Sequence, residues 1–445
     1  MSTRAPSSEF SWGSIFRLGL VQTSLGAMVV LATSTFNRVM VVELALPAML
    51  PGVLVALHYV VQVFRPRMGH GADVGGRSTP WILGGMAVLA ASTFAAAAAT
   101  ALLQDSRLAG IALGVVAYLG IGAGAGAAGT SLLVLLAKRV TPARRAGAAS
   151  AVWLMMIAGF AITATSAGRF LDPYSNTRLM AVTACVVGIA LLVTLLALWR
   201  LEGRSTNHSA PAVTSPDRSS FRDSLREVWQ EAHARRFTIF VFISMLAYSA
   251  QDLILEPFAG LVFGNSVGQS TTLSGIQHQG VFFGMLGVAV MCRVFNGKLA
   301  GSLKFWTVAG CMASAAALWA LASASLAPDG WPLRGTVLAL GLANGAYAVA
   351  AIGSMMANAG RGAPGREGIR MGMWGAAQGV AFGLGGFMGT LASDLAQAWF
   401  GSVQQSYALV FGLEGALFLF SALLAARLDS VRASRGNLAR SSAFS

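Results

Sequence analysis

Two stretches of this 445-residue chain place charged and amide side chains inside otherwise apolar runs. The first is Thr35-Phe-Asn-Arg-Val-Met-Val-Val-Glu-Leu-Ala-Leu-Pro47, interrupted by Asn37, Arg38 and Glu43. The second is Gln251-Asp252-Leu-Ile-Leu-Glu256-Pro257. Each reads as a polar pair, then an acid, then a proline. A charge near the centre of a bilayer costs at least ~2.5–3.5 kcal/mol, so such residues face a bundle interior or lie near an interface. Arg38 can offset Asp252 or Glu256. Those two acids stand one turn apart and can share a helix face, a spacing that serves a proton relay, an ion pair or acid–base chemistry. The bland alternative is a structural ion pair, or residues at the outer interface. Gln378, alone among small residues, joins this intramembrane polar set and can enter a cavity or bond to a neighbouring helix. His58 and His278, the latter between Gln277 and Gln279, are candidate ligands for the metal of a tetrapyrrole, a role that suits a neutral imidazole. A histidine simply hydrogen-bonded inside the protein is the competing reading for each.

Soluble-enzyme chemistry finds little support. There is no G-x-x-x-x-G-K-[ST] phosphate loop, so nothing points to an ATP-driven pump. Gly264-Asn-Ser-Val-Gly268 matches G-x-S-x-G, but it follows an apolar segment and lacks the strand–turn–helix setting of a nucleophile elbow. The five histidines form no HxxxH or HExxH pattern, and Cys185, Cys292 and Cys311 lie in apolar segments without metal spacing or a disulfide framework. No dense acidic or histidine cluster suggests an enzyme within the membrane. No catalytic residue, no metal centre and no enzymatic activity are expected.

The elements that position these residues follow from composition. Hydrophobic residues make up 55% of the chain and charged ones 11%, against about 25% charged in soluble domains. This is the composition of an integral membrane protein. The net charge of +14 belongs to membrane topology rather than nucleic acid, because the basic residues fall between apolar segments. A spanning helix needs roughly 20 apolar residues. Such segments occur near 18–36 running on to 46, then 48–64, 80–103, 108–136, 147–168 and 179–199. After a polar stretch they resume at 237–263, 274–295, 305–327, 333–357, 371–399 and 404–426. The expected fold is all-α: twelve transmembrane helices in two six-helix halves. Residues 1–200 form the first half, 201–236 a cytoplasmic linker, 237–427 the second half and 428–445 a basic cytoplasmic tail. Within the linker, 203–219 is rich in Ser, Pro, Asn and Thr, while Phe221, Leu225, Val228 and Trp229 recur at the spacing of a short amphipathic helix on the inner membrane face. Lys and Arg crowd alternate loops, including Arg65, Arg67, Lys138, Arg139, Arg144, Arg145, Arg293, Lys298, Lys304, Arg361 and Arg366. The opposite loops carry only Arg107, Arg169, Arg178 and Arg334. Both termini are therefore expected to be cytoplasmic, and the polar, serine-rich start reads as no signal peptide.

The loop between the second and third segments, Gly69-His-Gly-Ala-Asp73-Val-Gly-Gly76-Arg77, resembles the loop between helices 2 and 3 of the major facilitator superfamily. Gly69, Asp73, Gly76 and Arg77 fit, and Ser78 stands where that family often has a second basic residue. The stretches Asn37-Arg-Val-Met-Val-Val-Glu-Leu44, Thr79-Pro-Trp-Ile82, Gly368-Ile-Arg-Met-Gly372 and Met373-Trp-Gly-Ala-Ala-Gln-Gly-Val-Ala-Phe-Gly-Leu-Gly-Gly386 narrow this further. They resemble the PucC/LhaA family, a bacteriochlorophyll-delivery branch of that fold in phototrophic bacteria. The resemblance runs from Phe16 to Arg427.

The resemblance implies a multi-pass protein of the inner, photosynthetic membrane that helps assemble light-harvesting complexes. It would bind or deliver bacteriochlorophyll as cargo, chaperone antenna polypeptides, or both, with pigment-synthesis enzymes as further partners. Some relatives carry a bacteriochlorophyll synthase name, but no residue here supports synthase chemistry. The chain keeps an ordinary facilitator loop and begins its first helix almost at once. It is therefore expected to fall in a shorter subgroup, its antenna partner open. Asn37, His58, His278 and Gln378 are the expected pigment contacts. The alternative function is a proton-coupled secondary transporter of a small solute, working through Glu43, Asp252 or Glu256.

Overall fold

The computed structural model describes residues 10–61, 78–202, 221–295, 299–359 and 367–427. The loop motif Gly69, Asp73, Gly76 and Arg77 lies outside the described residues, as do 203–220 of the linker and the tail 428–445. Among the described residues every regular element is helical. In chain order they are α1 (Trp12–Glu43), α2 (Met49–Val61), α3 (Thr79–Leu102), α4 (Arg107–Arg139), α5 (Pro142–Phe170), α6 (Asn176–Leu198), α7 (Phe221–Gln230), α8 (Ala232–Phe263), α9 (Val267–Val294), α10 (Leu303–Leu326), α11 (Leu333–Ala359), α12 (Glu367–Phe400) and α13 (Val403–Arg427), with one 3₁₀ turn at Leu299–Gly301. Ten of them are long and apolar enough to cross a membrane, and the chain is an all-α, multi-pass membrane protein. Two fall outside that ten although the sequence reading counts them as spans. Helix α2 is only 13 residues long, and α12, at 34 residues, is diluted by glycine.

One boundary differs from the sequence reading by a quarter of the helix's length. Helix α9 begins at Val267 rather than near 274. Its first turns, Val-Gly-Gln-Ser-Thr-Thr-Leu-Ser, are too hydroxyl-rich to score as apolar. They are helical because Ser270, Thr271 and Ser274 are buried against protein rather than lipid. In α7, Val228 is buried, whereas Trp229, expected on the same apolar face, is exposed.

The helices gather into two compact units. The first comprises Met1–His208, Asp252–Gln279 and Gly386–Leu395. Its helices approach closely through small residues, the usual way to gain van der Waals contact in lipid. A Cβ on Gly124 of α4 would press on the α3 backbone at Gly85 and Leu89, and one on Gly159 of α5 would press on the α1 backbone at Thr23. The glycine-rich run of α4 thus packs helices, as its sequence suggests. The second unit comprises Ser209–Gln251, Gly280–Gly385 and Ala396–Ser445. Its core holds Tyr347, edge-on to Phe418 at 5.8 Å, and Trp374 against Phe237 at 4.9 Å. Asn344 accepts a 2.8 Å hydrogen bond from Ser314.

Candidate functional site

The site is built on a local change of helical pitch. Helix α1 contains two π turns, Leu31–Thr35 and Val39–Glu43, closed by bonds from Phe36 N–H to Leu31 C=O and from Leu44 N–H to Val39 C=O. Such turns are rare and gather at functional positions. In a regular α-helix residues five apart point about 140° away from one another. The wider π turn swings position 43 back over position 38. Arg38, only 2% exposed, accordingly donates from Nη1 to Glu43 Oε1.

The charge of Arg38 is felt by Glu256, but no salt bridge joins it to Glu256 or Asp252 among the described residues. Its ion partner is on its own helix, because the backbone there is not α-helical. Its other donors are also committed. Nη2 donates to the Asn265 carbonyl at 2.7 Å, and Nε to Ser270 Oγ at 3.4 Å. The Asn265 carbonyl is available because α8 stops just before it. Gly264, with a φ of +66°, terminates the helix in a left-handed cap. Gly260 is needed too, since a Cβ there would meet Arg38 Nη2 and Val42. Tyr174, between α5 and α6, has its phenol pushed up to about 12, by burial first and by the negative charge of Glu43 second, with Arg38 opposing. It therefore stays neutral at physiological pH.

Asn37 has a specific task. Pro257 lies inside α8 and supplies no N–H to the carbonyl four residues earlier. That carbonyl belongs to Leu253, and Asn37 Nδ2 donates to it. Side chains commonly re-satisfy backbone groups freed by a proline in a membrane helix. Asn37 Oδ1 has no partner among the described residues.

Glu256 sits one residue before that proline and is 1% exposed. Hydroxyl groups and the charge of Arg38 lie around it. Thr271 Oγ1 is 3.4 Å from Oε2, and Ser274 and Ser34 are within hydrogen-bonding reach. Ser34 and Ser274 are 3.0 Å apart, Thr271 and Thr35 3.5 Å. Glu256 Oε1 has no partner among the described residues. One turn earlier, Asp252 is within reach of Gln277. Asn37, Arg38, Glu43, Asp252 and Glu256 thus share the first unit. Gln251 and Gln378 belong to the second, where Gln251 is fully buried and donates to the Tyr248 carbonyl at 3.0 Å.

Both histidines lie in the first unit. His278 Nδ1 is 2.8 Å from the Ser274 carbonyl. A carbonyl can only accept, so Nδ1 carries the proton and Nε2 keeps a lone pair. The ring stands edge-on to Phe160 at 5.1 Å. His58 is 3% exposed and lines a crevice with Val29, Ala32, Thr33, Val55, Tyr118 and Ile121.

Sequence reasoning missed the hydroxyls Ser34, Thr35, Ser270, Thr271 and Ser274. A signal existed: 271, 274 and 278 follow helical spacing and fall on one face, but only once the segment is known to be helical. It also missed three acids that cap helices from a distance. Asp394 accepts from Ala48 N–H at 3.0 Å and Met49 N–H at 2.7 Å, at the start of α2. Asp172 accepts from Gly268 N–H at 3.0 Å and Ser266 Oγ at 2.6 Å, at the start of α9. Glu202 accepts from Ser78 and Thr79 N–H, both at 2.8 Å, at the start of α3. No sequence pattern announces such caps, because donor and acceptor lie far apart along the chain.

Comparison with known proteins supplies what this geometry alone does not. Residues 35–433 match the family described as PUCC protein. Over 421 residues, 95% of this chain and 96% of the relative, the sequence is 50% identical to the bacteriochlorophyll synthase 44.5 kDa chain of Rhodobacter capsulatus. It is 27% identical to protein PucC of Rhodobacter capsulatus over 95% of this chain and 93% of that one. Among solved structures the fold is similar to that of a D-xylose–proton symporter, with a TM-score of 0.71, 13% identity, and coverage of 94% of this chain and 97% of the symporter. At that identity the likeness concerns the fold alone, which is that of the major facilitator transporters.

Proposed function

The chain belongs to the PUCC protein family, and from that premise we propose that it serves assembly of the photosynthetic apparatus. It binds or delivers bacteriochlorophyll, chaperones antenna polypeptides in the membrane, or does both. The observation that carries this reading is the breadth of the family match. Residues 35–433 take in both histidines and every member of the intramembrane polar set.

The synthase name of the 50% identical relative is not carried over. Prenyl transfer within a membrane would call for acid-rich loops, and the sequence holds no such run. The finer architecture belongs to this proposal as well: twelve spans in two halves, 1–200 and 237–427, joined by the 201–236 linker. The alternation of Lys and Arg along the chain supports cytoplasmic termini in an inner, photosynthetic membrane.

Of the two pigment ligands, His278 is the better fitted. Its Nδ1–H is held by a carbonyl, which fixes the tautomer and leaves the Nε2 lone pair to serve a magnesium ion. The crevice at His58 has no room even for a water molecule, far below the ~300–1,000 Å³ of ordinary ligand pockets. A macrocycle would enter there only if helices parted. Antenna polypeptides and pigment-synthesis enzymes are the proposed partners.

The test is the near-infrared absorption of the protein purified gently from its native membrane. Pigment at a fixed ratio, lost in His278→Ala and kept in His58→Ala, supports carriage at His278. A colourless protein that co-purifies with antenna polypeptides supports the chaperone form. A colourless protein without them contradicts both. A second reading, a proton-coupled transporter of a small solute, draws on buried Glu256 and on the symporter likeness. It requires uptake into vesicles that follows a pH gradient.

A further inference from the structure

Neither pigment carriage nor antenna binding accounts for Glu256. Its carboxyl group is 1% exposed, and an ionised carboxylate in an apolar interior is costly without a compensating charge. Arg38 is close enough to be felt, but each of its nitrogens donates elsewhere, to Glu43, Asn265 and Ser270. Three carboxylates, of Glu43, Asp252 and Glu256, thus share this unit's polar interior with one guanidinium. The oxygens around Glu256 come from Ser34 of α1 and from Thr271 and Ser274 of α9, with Thr35 of α1 reached through Thr271.

We propose that Glu256, with the hydroxyls of Ser34, Thr35, Thr271 and Ser274, forms a binding site for a small monovalent cation of sodium's size. The spacing of the oxygens favours this over a simple hydrogen-bond network. Hydroxyl hydrogen bonds cluster near ~2.7–2.8 Å. Here Thr271 stands 3.4 Å from Glu256 Oε2 and 3.5 Å from Thr35, whereas Ser34 and Ser274, 3.0 Å apart, are at hydrogen-bond distance. Ligand oxygens at right angles around an ion with bonds of about 2.4 Å are about 3.4 Å apart. Glu256 Oε1 is buried and has no hydrogen-bond partner among the described residues, which leaves it open to coordinate an ion. One carboxylate with neutral oxygens matches a single positive charge. Calcium sites gather more carboxylates, and Asp252 is turned to Gln277. The ion would bridge α1, α8 and α9, so its binding would stabilise the packing of these three helices.

The experiment uses the full chain in lipid nanodiscs, without pigment. Radiolabelled sodium binding is measured by equilibrium dialysis, and thermal unfolding is followed in sodium, potassium and choline chloride at equal ionic strength and pH. The expected result is saturable sodium binding and a higher Tm in sodium than in choline. Glu256→Gln should abolish the binding. Ser34→Ala and Thr271→Val, which each remove one oxygen, should each weaken it about tenfold. Absence of sodium binding in the wild-type chain would overturn the proposal. So would binding unchanged in Ser34→Ala and Thr271→Val, or unfolding that responds to acidification alone and not to the cation. The pigment reading would survive any of these results, since no pigment is present in the assay.

Discussion

Asn37 and Pro257 are coupled through a single carbonyl. Asn37→Leu leaves the Leu253 C=O buried with neither a backbone nor a side-chain donor, a loss of about 1–3 kcal/mol in unfolding free energy. In a Pro257→Ala background the restored N–H takes that carbonyl back, and the same Asn37→Leu change should cost far less. A double-mutant cycle by chemical unfolding in detergent measures the difference, and additive costs would refute the coupling. The Arg38–Glu43 pair is asymmetric. Arg38 is 2% exposed and its partner 34%, so removing Glu43 strands a charge that cannot reach water. Glu43→Leu should destabilise by about 3–5 kcal/mol, the range for breaking a buried pair. The same unfolding titration checks it, and a loss under about 1 kcal/mol would show that the guanidinium finds other compensation. These charged and amide residues were legible in the sequence because each interrupts an apolar run. Their partners were not. Leu253 is named only by the proline four residues on, and Ser34, Thr271 and Ser274 are unremarkable in a membrane helix until two helices bring them together.

At the scale of the helix, the chain meets the unsatisfied first amides of α2, α3 and α9 with carboxylates from elsewhere in the sequence. Negative charge there also complements the helix dipole. Asp394→Ala and Asp172→Ala should each cost about 1–2 kcal/mol, with Asn at either position recovering part of it. Hydrogen exchange gives the sharper readout. The amides of Ala48 and Met49 should exchange faster in Asp394→Ala and remain unchanged in Asp172→Ala, whereas equal acceleration in both variants would contradict local capping. That the chain is a series of apolar helices was readable from hydropathy, and ten of those described are long and apolar enough to cross a membrane. The start of α9 was not, because burial against protein rather than lipid reverses the meaning of its hydroxyls. The π turns of α1 were hidden as well. No composition marks them, and they decide which residue Arg38 meets.

For the molecule as a whole, an all-helical membrane protein was legible from 11% charged residues and the regular apolar segments. The family was legible from Asn37-Arg-Val-Met-Val-Val-Glu-Leu44 and the glycine-rich run through Gly386. Physical chemistry alone did not reach the role, since a buried acid amid hydroxyls suits a transporter as well as an assembly factor. The family match over residues 35–433 is what weights assembly over transport. The most direct test deletes this chain in its native phototrophic host and records the near-infrared spectrum of the membranes. The same membranes are assayed for bacteriochlorophyll synthase activity. An assembly factor predicts loss of an antenna band with synthase activity retained, and recovery of the band on re-expression. Antenna bands at their normal height in the deletion strain, or loss of the synthase activity itself, would contradict it.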